Sequence, residues 1–399
     1  MKKRIFISTC YMQIGGVERS LLGLLNSIDY SKYEVDLFIQ NHSGEFMDMI
    51  PDSVNVLPEI KRYKSLSTPI VGLFKQGSVL IGITRLLARF HTQLFKKLNK
   101  LTENYSSTTY VAKYAMPFLP SLFTYGEYDL AISFLIPHNI VLKKVKAKHK
   151  IAWIHSDYSF IGLDKKVELP IWQEYDSIAS ISEEVSRAFL VRFPSLKEKL
   201  VLIENILSSS FVRQQAEEFS ASSEMPRKNG ELILCSVGRF TEQKNFVNAV
   251  HICKCLLNKG VDIKWYLVGY GPDEKKIVDE INKLQMNDFF FILGKKVNPY
   301  PYIHNCDIYI QPSLYEGKAV TVREAQMLFK PVVITDFPTS KSQLKNGYDG
   351  EIVPLDNEGA AKGIYNFLMD KNKQDMIIEN LKQNDFGNES EVGKIYDLC

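Results

Sequence analysis

Apolar runs of strand length alternate with stretches of helical periodicity along most of this chain. The first series comprises Arg4–Thr9, Glu34–Gln40, Val54–Leu57, Asp129–Phe134, Lys150–Ile154, Ser177–Ile181 and Leu200–Glu204. A second series passes through Leu232–Val237, Lys264–Val268, Phe289–Leu293, Ile308–Gln311 and Val332–Thr335 and ends near Ile352. Near-continuous apolar strands with helices between them are the pattern of parallel sheets covered on both faces. The expectation is therefore two α/β domains, which suits 399 residues, too long for one ordinary core. The predicted boundaries are 1–207 for the first domain, 208–230 for a polar linker, 231–385 for the second domain, and 386–399 for a C-terminal segment returning to the first.

One region breaks the rhythm. Residues 61–125 read as a helical insertion, with Ile81–Leu98 the clearest helix, and they set Leu, Phe and Ile beside Lys and Arg. Charge changes the picture here. Residues 61–150 hold 15 Lys and Arg against three Asp and Glu, although the whole chain has a net charge of only +3. Apolar residues next to cations are what helices at an anionic lipid surface need, so peripheral contact with the inner face of a cell membrane is an expectation beside that of an ordinary packed insertion. No run of about 18 apolar residues could span a bilayer, and the apolar stretch after Lys2, Lys3 and Arg4 suits a buried strand better than a signal peptide. The six cysteines have no C-x-x-C spacing and are read as reduced thiols of a cytoplasmic protein.

The candidate chemistry falls at strand ends. After Ile308–Gln311 the chain reads Pro312, Ser313, Leu314, Tyr315, Glu316, Gly317, then a helix from about Lys318. Ligands of open parallel sheets bind beyond the carboxyl ends of strands. With no side chain at Gly317, the amides of Lys318, Ala319, Val320 and Thr321 are expected to face a phosphate or sugar oxygen at a helix N-terminus. Glu324 follows Glu316 by eight residues, an interval that can place two carboxylates along one helix face. After Leu232–Val237 come Gly238, Arg239 and, five residues on, Lys244. Two cations on a strand-to-helix turn can stabilise a leaving diphosphate without a metal, and the chain has no D-x-D triplet to bridge one through a metal. Gly269 and Gly271 form a tight turn after Leu267 and Val268, Gly294 ends another strand, and Gly15, Gly16 and Glu18 open a helix after the first strand. Trp153, His155 and Asp157 lie at the end of a further strand.

In Pro312, Ser313, Glu316, Gly317, Glu324, Ala325, Pro331, Val332 and Val333, and in Gly238, Arg239 and Lys244 before them, the sequence resembles glycosyltransferase family 4, the retaining glycosyl transferases of group 1. The match is sharp from Val237 to Gly350 and loose in the first domain. The resemblance implies a GT-B architecture, α/β with two Rossmann-like domains facing each other across a cleft. It implies transfer of a sugar from a nucleotide-diphosphate donor, commonly a uridine one, to a glycan or lipid-linked glycan acceptor with retention of configuration, as in bacterial capsule or exopolysaccharide synthesis. No cofactor or metal is expected. In these terms Arg239 and Lys244 hold the diphosphate, Glu316 orients the sugar, Glu324 meets the ribose, Gly269 belongs to a V-G-x-G-P turn of the donor site, and Gly294 lies near the base. His155 sits beside the donor sugar, while Gly15, Gly16, Glu18 and Asp157 face the acceptor, Gly16 also reaching the diphosphate. Lys318 departs from the bulky apolar residue of many relatives and bears on sugar choice. A non-catalytic partner subunit and an epimerase or phosphorylase of the same architecture remain as rival readings. Nucleic acid is not an expected partner, because the basic region carries no recognisable reading motif.

Overall fold

The computed structural model describes residues 2–75, 77–99, 107–156, 158, 162–316 and 319–399. They form two compact units, residues 1–207 with 389–399, and residues 208–388.

The first unit is built on a seven-stranded sheet. Its strands are β1 (Lys3–Thr9), β2 (Tyr33–Ile39), β3 (Asn55–Val56), β4 (Glu127–Ser133), β5 (Lys146–Ile154), β6 (Ser177–Ser180) and β7 (Leu200–Leu202), in the order β3-β2-β1-β4-β5-β6-β7. Every pairing is parallel. The period of two along each strand divides its side chains between two cores. Ile5, Ile7, Leu37, Ile39, Leu130 and Ile132 enter one, while Phe6, Phe38 and Ala131 enter the other. Both faces being covered is the reason these strands read as unbroken apolar runs. The helix Gly16–Ser27 lays Leu21, Leu22, Leu24 and Leu25 on the first core. Its Gly23 permits close approach, since a Cβ there would stand 2.0 Å from the Ile206 carbonyl oxygen.

The C-terminal residues belong to this first unit. Val392 and Ile395 enter its core, the Tyr396 ring stacks on Tyr33 with centroids 4.2 Å apart, and the Glu391 carboxylate accepts from the Glu204 amide at 3.0 Å.

The insertion is helical at Lys61–Lys64, Ile70–Lys75, Val79–Leu98 and Thr108–Ala115. Tyr63, Leu73 and Ile81 join the unit's second core. The two longer helices meet around Ala88 and Tyr110. The His91 ring stacks on Tyr110, whose hydroxyl donates to Asp164 at 2.6 Å.

The second unit carries β8 (Leu232–Val237), β9 (Ile263–Val268), β10 (Phe290–Gly294), β11 (Ile308–Gln311), β12 (Val332–Thr335) and β13 (Glu351–Val353). They pair in the order β10-β9-β8-β11-β12-β13, again all parallel. Residues 208–230, read from composition as a linker, are part of this unit. Ser208 caps a helix over Ser209–Ala216 that buries Val212 and Ala216, and Ser209 donates to Asp385 at 2.7 Å. Polar residues on the outer side of that short helix masked its apolar side. None of the six cysteines is in a disulfide, and among the described residues no helix is long and apolar enough to cross a membrane.

Candidate functional site

The carboxyl ends of the second sheet bring together groups from distant stretches of sequence. Strand β8 runs into Gly238, and the Gly238 amide donates to the Val268 carbonyl at 3.0 Å. The Gly269 amide donates to the Gly294 carbonyl at 2.9 Å, which ties the ends of β8, β9 and β10 into one edge. At Gly269, where φ is +150°, a Cβ would lie 1.9 Å from the Gly238 carbonyl oxygen, so the position admits only glycine. The tight packing accounts for Gly269 without a ligand; Gly294, with φ +74°, has open space where a Cβ would be.

Beyond Gly238 the chain exposes Arg239 and makes a short turn at Glu242–Lys244. Opposite it lies the loop after β11, and a Leu314 amide to Gln243 carbonyl hydrogen bond of 2.8 Å joins the two. Here the two motifs meet. The Lys244 ammonium lies 2.6 Å from Glu316 Oε1, with side-chain exposures of 16% and 6%. Glu316 also accepts from the Ser313 hydroxyl at 2.6 Å and from Gln243 Nε2 at 3.1 Å. Behind it a chain of hydrogen bonds runs into the core, from Tyr309 to Gln311 at 2.8 Å and from Gln311 to Ser313 at 2.8 Å. A carboxylate with three donors, one of them cationic, is held in a single orientation. Removing one partner of such a shielded pair costs roughly 3–5 kcal/mol, because the other charge is left without compensation.

The loop carrying Glu316 is fastened from the far side. The Thr339 hydroxyl donates to the Glu316 carbonyl at 2.6 Å, and Gln343 Oε1 accepts from the Ala319 amide at 2.8 Å. Thr339 and Gln343 were invisible to sequence reasoning because they lie in a short helical segment with no motif. Gln243, between Arg239 and Lys244, carries no local signal of its hydrogen bond to Glu316. The Ala319 amide, expected to face a ligand oxygen, is therefore committed within the protein. Gly317, Lys318 and, in the first unit, Asp157 lie outside the described residues.

Glu316 and Glu324 do not share a helix face, because the helix starts only at Val320. Thr321 stands in its first turn, with its hydroxyl donating to Gln311 at 3.2 Å. Glu324 is wholly buried and accepts from the Tyr300 hydroxyl at 2.9 Å. It thus sits deeper in the unit than Glu316, whose own hydrogen-bond chain runs through Ser313 and Gln311 to Tyr309 and Thr321.

The corresponding edge of the first unit is different in kind. Gly15 is the N-cap of the helix Gly16–Ser27, and Glu18 folds back over it, so that a Cβ on Gly15 would meet the Glu18 carboxylate. Nothing stands within 4 Å of where a Cβ on Gly16 would lie. Burial raises the pKa of Glu18 and pushes that of nearby Cys10 up to about 12.

His155 follows β5, its ring 4.5 Å from Phe134 and 5.9 Å from Trp153 between centroids. Neither ring nitrogen makes a hydrogen bond of good geometry. Burial drives its pKa down to about 3, against weaker pulls from the Phe134 backbone and Asn205, so the imidazole is neutral at physiological pH. His138 is held neutral in the same way, by burial and then by His155, and pairs with Ser133 at 2.8 Å. Both histidines line a cavity of about 230 Å³ with Trp153, Trp172, Ile136 and Glu168. His138 and Glu168 were not singled out in the sequence, because nothing local distinguishes them from core residues. Among the described residues no group of three or more His, Cys, Asp or Glu side chains is placed to hold a metal ion.

A doubly wound parallel sheet with paired cation and carboxylate at its strand ends is the class of structure that receives nucleotide-bearing ligands. The comparisons with known proteins make this specific. Residues 218–384, most of the second unit, match the family described as glycosyl transferases group 1. The whole chain has the fold of HepE from Anabaena, solved in complex with UDP and glucose, with a TM-score of 0.66, 13% identity and coverage of 99% of this chain and 98% of that one. An uncharacterized glycosyltransferase of Methanocaldococcus jannaschii is 25% identical over 54% of this chain and 57% of its own length. The capsular polysaccharide biosynthesis glycosyltransferase CapM of Staphylococcus aureus is 25% identical over 38% of this chain and 40% of its own length. The chain thus matches about half the length of these curated relatives, while along nearly its whole length it shares the fold of HepE.

Proposed function

We propose that this protein is a glycosyltransferase that takes a sugar from a nucleotide-diphosphate donor and transfers it, with retention of configuration, to a glycan or lipid-linked glycan in bacterial surface polysaccharide synthesis. The observation that carries the reading is the Lys244–Glu316 pair, which unites the two sequence motifs at one strand-end edge of the unit that matches the glycosyl transferases group 1 family. The UDP and glucose of HepE favour a uridine donor, and CapM favours a capsule or a related polysaccharide.

In this reading the donor's diphosphate displaces Glu316 from Lys244 as the ammonium's main anionic partner. Arg239, exposed and able to turn, adds the second charge. Together they stabilise the negative charge that grows on the departing phosphate, and the amides of Val320 and Thr321 add the field of a helix N-terminus. Glu316, still held by Ser313 and Gln243, is then placed to accept from sugar hydroxyls. The departing phosphate assists deprotonation of the acceptor hydroxyl. His155 stays neutral and serves as a hydrogen-bonding group and not as a cation. Glu324, which also accepts from the Tyr300 hydroxyl, meets the ribose. Binding and orientation supply most of the rate.

The test is a panel of nucleotide sugars scored by thermal stabilisation and by slow hydrolysis, with and without EDTA. One donor should stabilise the protein and release free nucleotide, and chelation should leave both unchanged. Stabilisation by none of the panel would overturn the proposal. Complete loss with EDTA, restored by magnesium, would overturn the two-cation account of the diphosphate site.

A further inference from the structure

The helix Val79–Leu98 has two apolar sides. Ile81, Thr84, Ala88 and Thr92 are buried along one. Ile83, Leu86, Leu87, Phe90, Leu94 and Leu98 are exposed along another, Phe90 at 69% and Leu98 at 73%. At 100° per residue these six, with Val79 and Leu80, fall within an arc of roughly 120° nearly opposite the buried one. An ordinary surface helix of a soluble protein turns charged and polar groups to that side. The stripe continues onto the preceding helix, because the ring of the partly exposed Phe74 lies against Gly82 at the stripe's margin.

The charge around the stripe identifies what it meets. Residues 61–99 include eight Lys and Arg and no Asp or Glu. Arg89 and Lys96 lie on the flank between that arc and the buried one, and Lys97 falls within the exposed arc near the helix end, where a long stem can cross apolar surface to reach a polar layer. Cores of protein interfaces are depleted in Lys. A helix with Lys and Arg beside an apolar stripe suits a layer of anionic headgroups over acyl chains. Two side chains of the same helix do not take part. The Arg85 guanidinium is turned inward, donating to the carbonyls of Ser65, at 3.2 Å, and Thr68. Phe95 packs toward Tyr110, with centroids 6.4 Å apart.

We propose that this stripe is a membrane-docking surface, on which the helix lies in the plane of an anionic lipid layer with Leu87, Phe90 and Leu94 entering the acyl boundary. It does not depend on transferase activity, and its failure would leave that reading standing. The test is co-sedimentation of the full chain with vesicles of phosphatidylcholine alone or mixed with phosphatidylglycerol. Binding to the mixed vesicles should be roughly tenfold tighter or more, as expected when two or more cations engage the surface. It should weaken in 1 M salt, where the screening length falls to about 3 Å. Changing Leu87, Phe90 and Leu94 together to Ser should abolish binding, and Arg89→Glu with Lys97→Glu should remove the preference for anionic lipid. Both variants should keep the wild-type circular dichroism and donor-induced stabilisation, because the altered side chains are exposed. Equal pelleting with both vesicle types, or wild-type binding by the triple Ser variant, would overturn the proposal. So would a dimer in sedimentation that the triple Ser variant dissolves, since the stripe would then cover a second copy of the chain.

Discussion

The two units share a sheet type yet prepare their strand ends in opposite ways. In the second, Lys244, Gln243 and Ser313 converge on the Glu316 carboxylate through charge and directed hydrogen bonds. In the first, His138 and His155 lie among aromatic rings, deprived of charge by burial. On the proposed reading, the second edge exchanges one anion for another, while the first offers neutral imidazoles among aromatic rings. The difference shows that a parallel sheet supplies only a place for a ligand, and that the loops decide which electrostatics it offers.

The largest expected effect separates the two cations of the second edge. Lys244→Ala and Arg239→Ala should each lower turnover about 100-fold or more, the scale of losing a donor to a developing anion. Only Lys244→Ala should also lower the unfolding free energy, by about 3 kcal/mol or more, because it strands the shielded Glu316 whereas Arg239 is exposed. Steady-state kinetics with denaturant titration checks both, and wild-type rates in the two variants would remove the site from the mechanism.

A smaller effect sharpens the comparison at the loop behind Glu316. Gln343→Leu removes the acceptor of the Ala319 amide and should reduce kcat/KM roughly tenfold, equivalent to about 1.4 kcal/mol. Gln343→Glu keeps an acceptor oxygen there and should restore most of the rate. Equal loss in both variants would show that Gln343 acts through something other than that amide.

A pH-dependent effect belongs to the first edge. An unfolded histidine titrates near 6.5, whereas His138 and His155 in the folded chain stay neutral down to about 3. Between those values the unfolded state binds more protons, so stability falls as pH drops below about 6.5, by up to about 1.4 kcal/mol per pH unit for each histidine. Replacing both with Gln should flatten that acid limb in thermal melts between roughly pH 6.5 and 5, the range where an ordinary imidazole gains its proton. An unchanged limb would place the acid sensitivity elsewhere.

Much of this was legible in the residues themselves. Runs such as Ile5 to Ile7 and Val332 to Ile334 are apolar on both faces of a strand, which requires layers on both sides and so a parallel α/β design. Arg239, Lys244 and Glu316 could be found because a strand end places ligand-facing groups within a few residues of an apolar run. Local composition misled at 208–230, where a capped helix carries its polar side outward. Arg85 and Phe95, alike in sequence to their exposed neighbours, are turned inward only by the packing of neighbouring helices.

What the sequence by itself determined is the order of strands along the chain and the chemical types available at their ends, since both follow from periodicity over short distances. Only the tertiary structure decided which of those groups touch. Lys244 and Glu316 are 72 residues apart in the chain, Gln343 reaches back to Ala319 across 24, and Glu391 returns 187 residues to meet the amide of Glu204. Such contacts depend on the crossovers that set β8 beside β11 and on burial that strips a histidine of its proton, and neither is a property of any local stretch of chain.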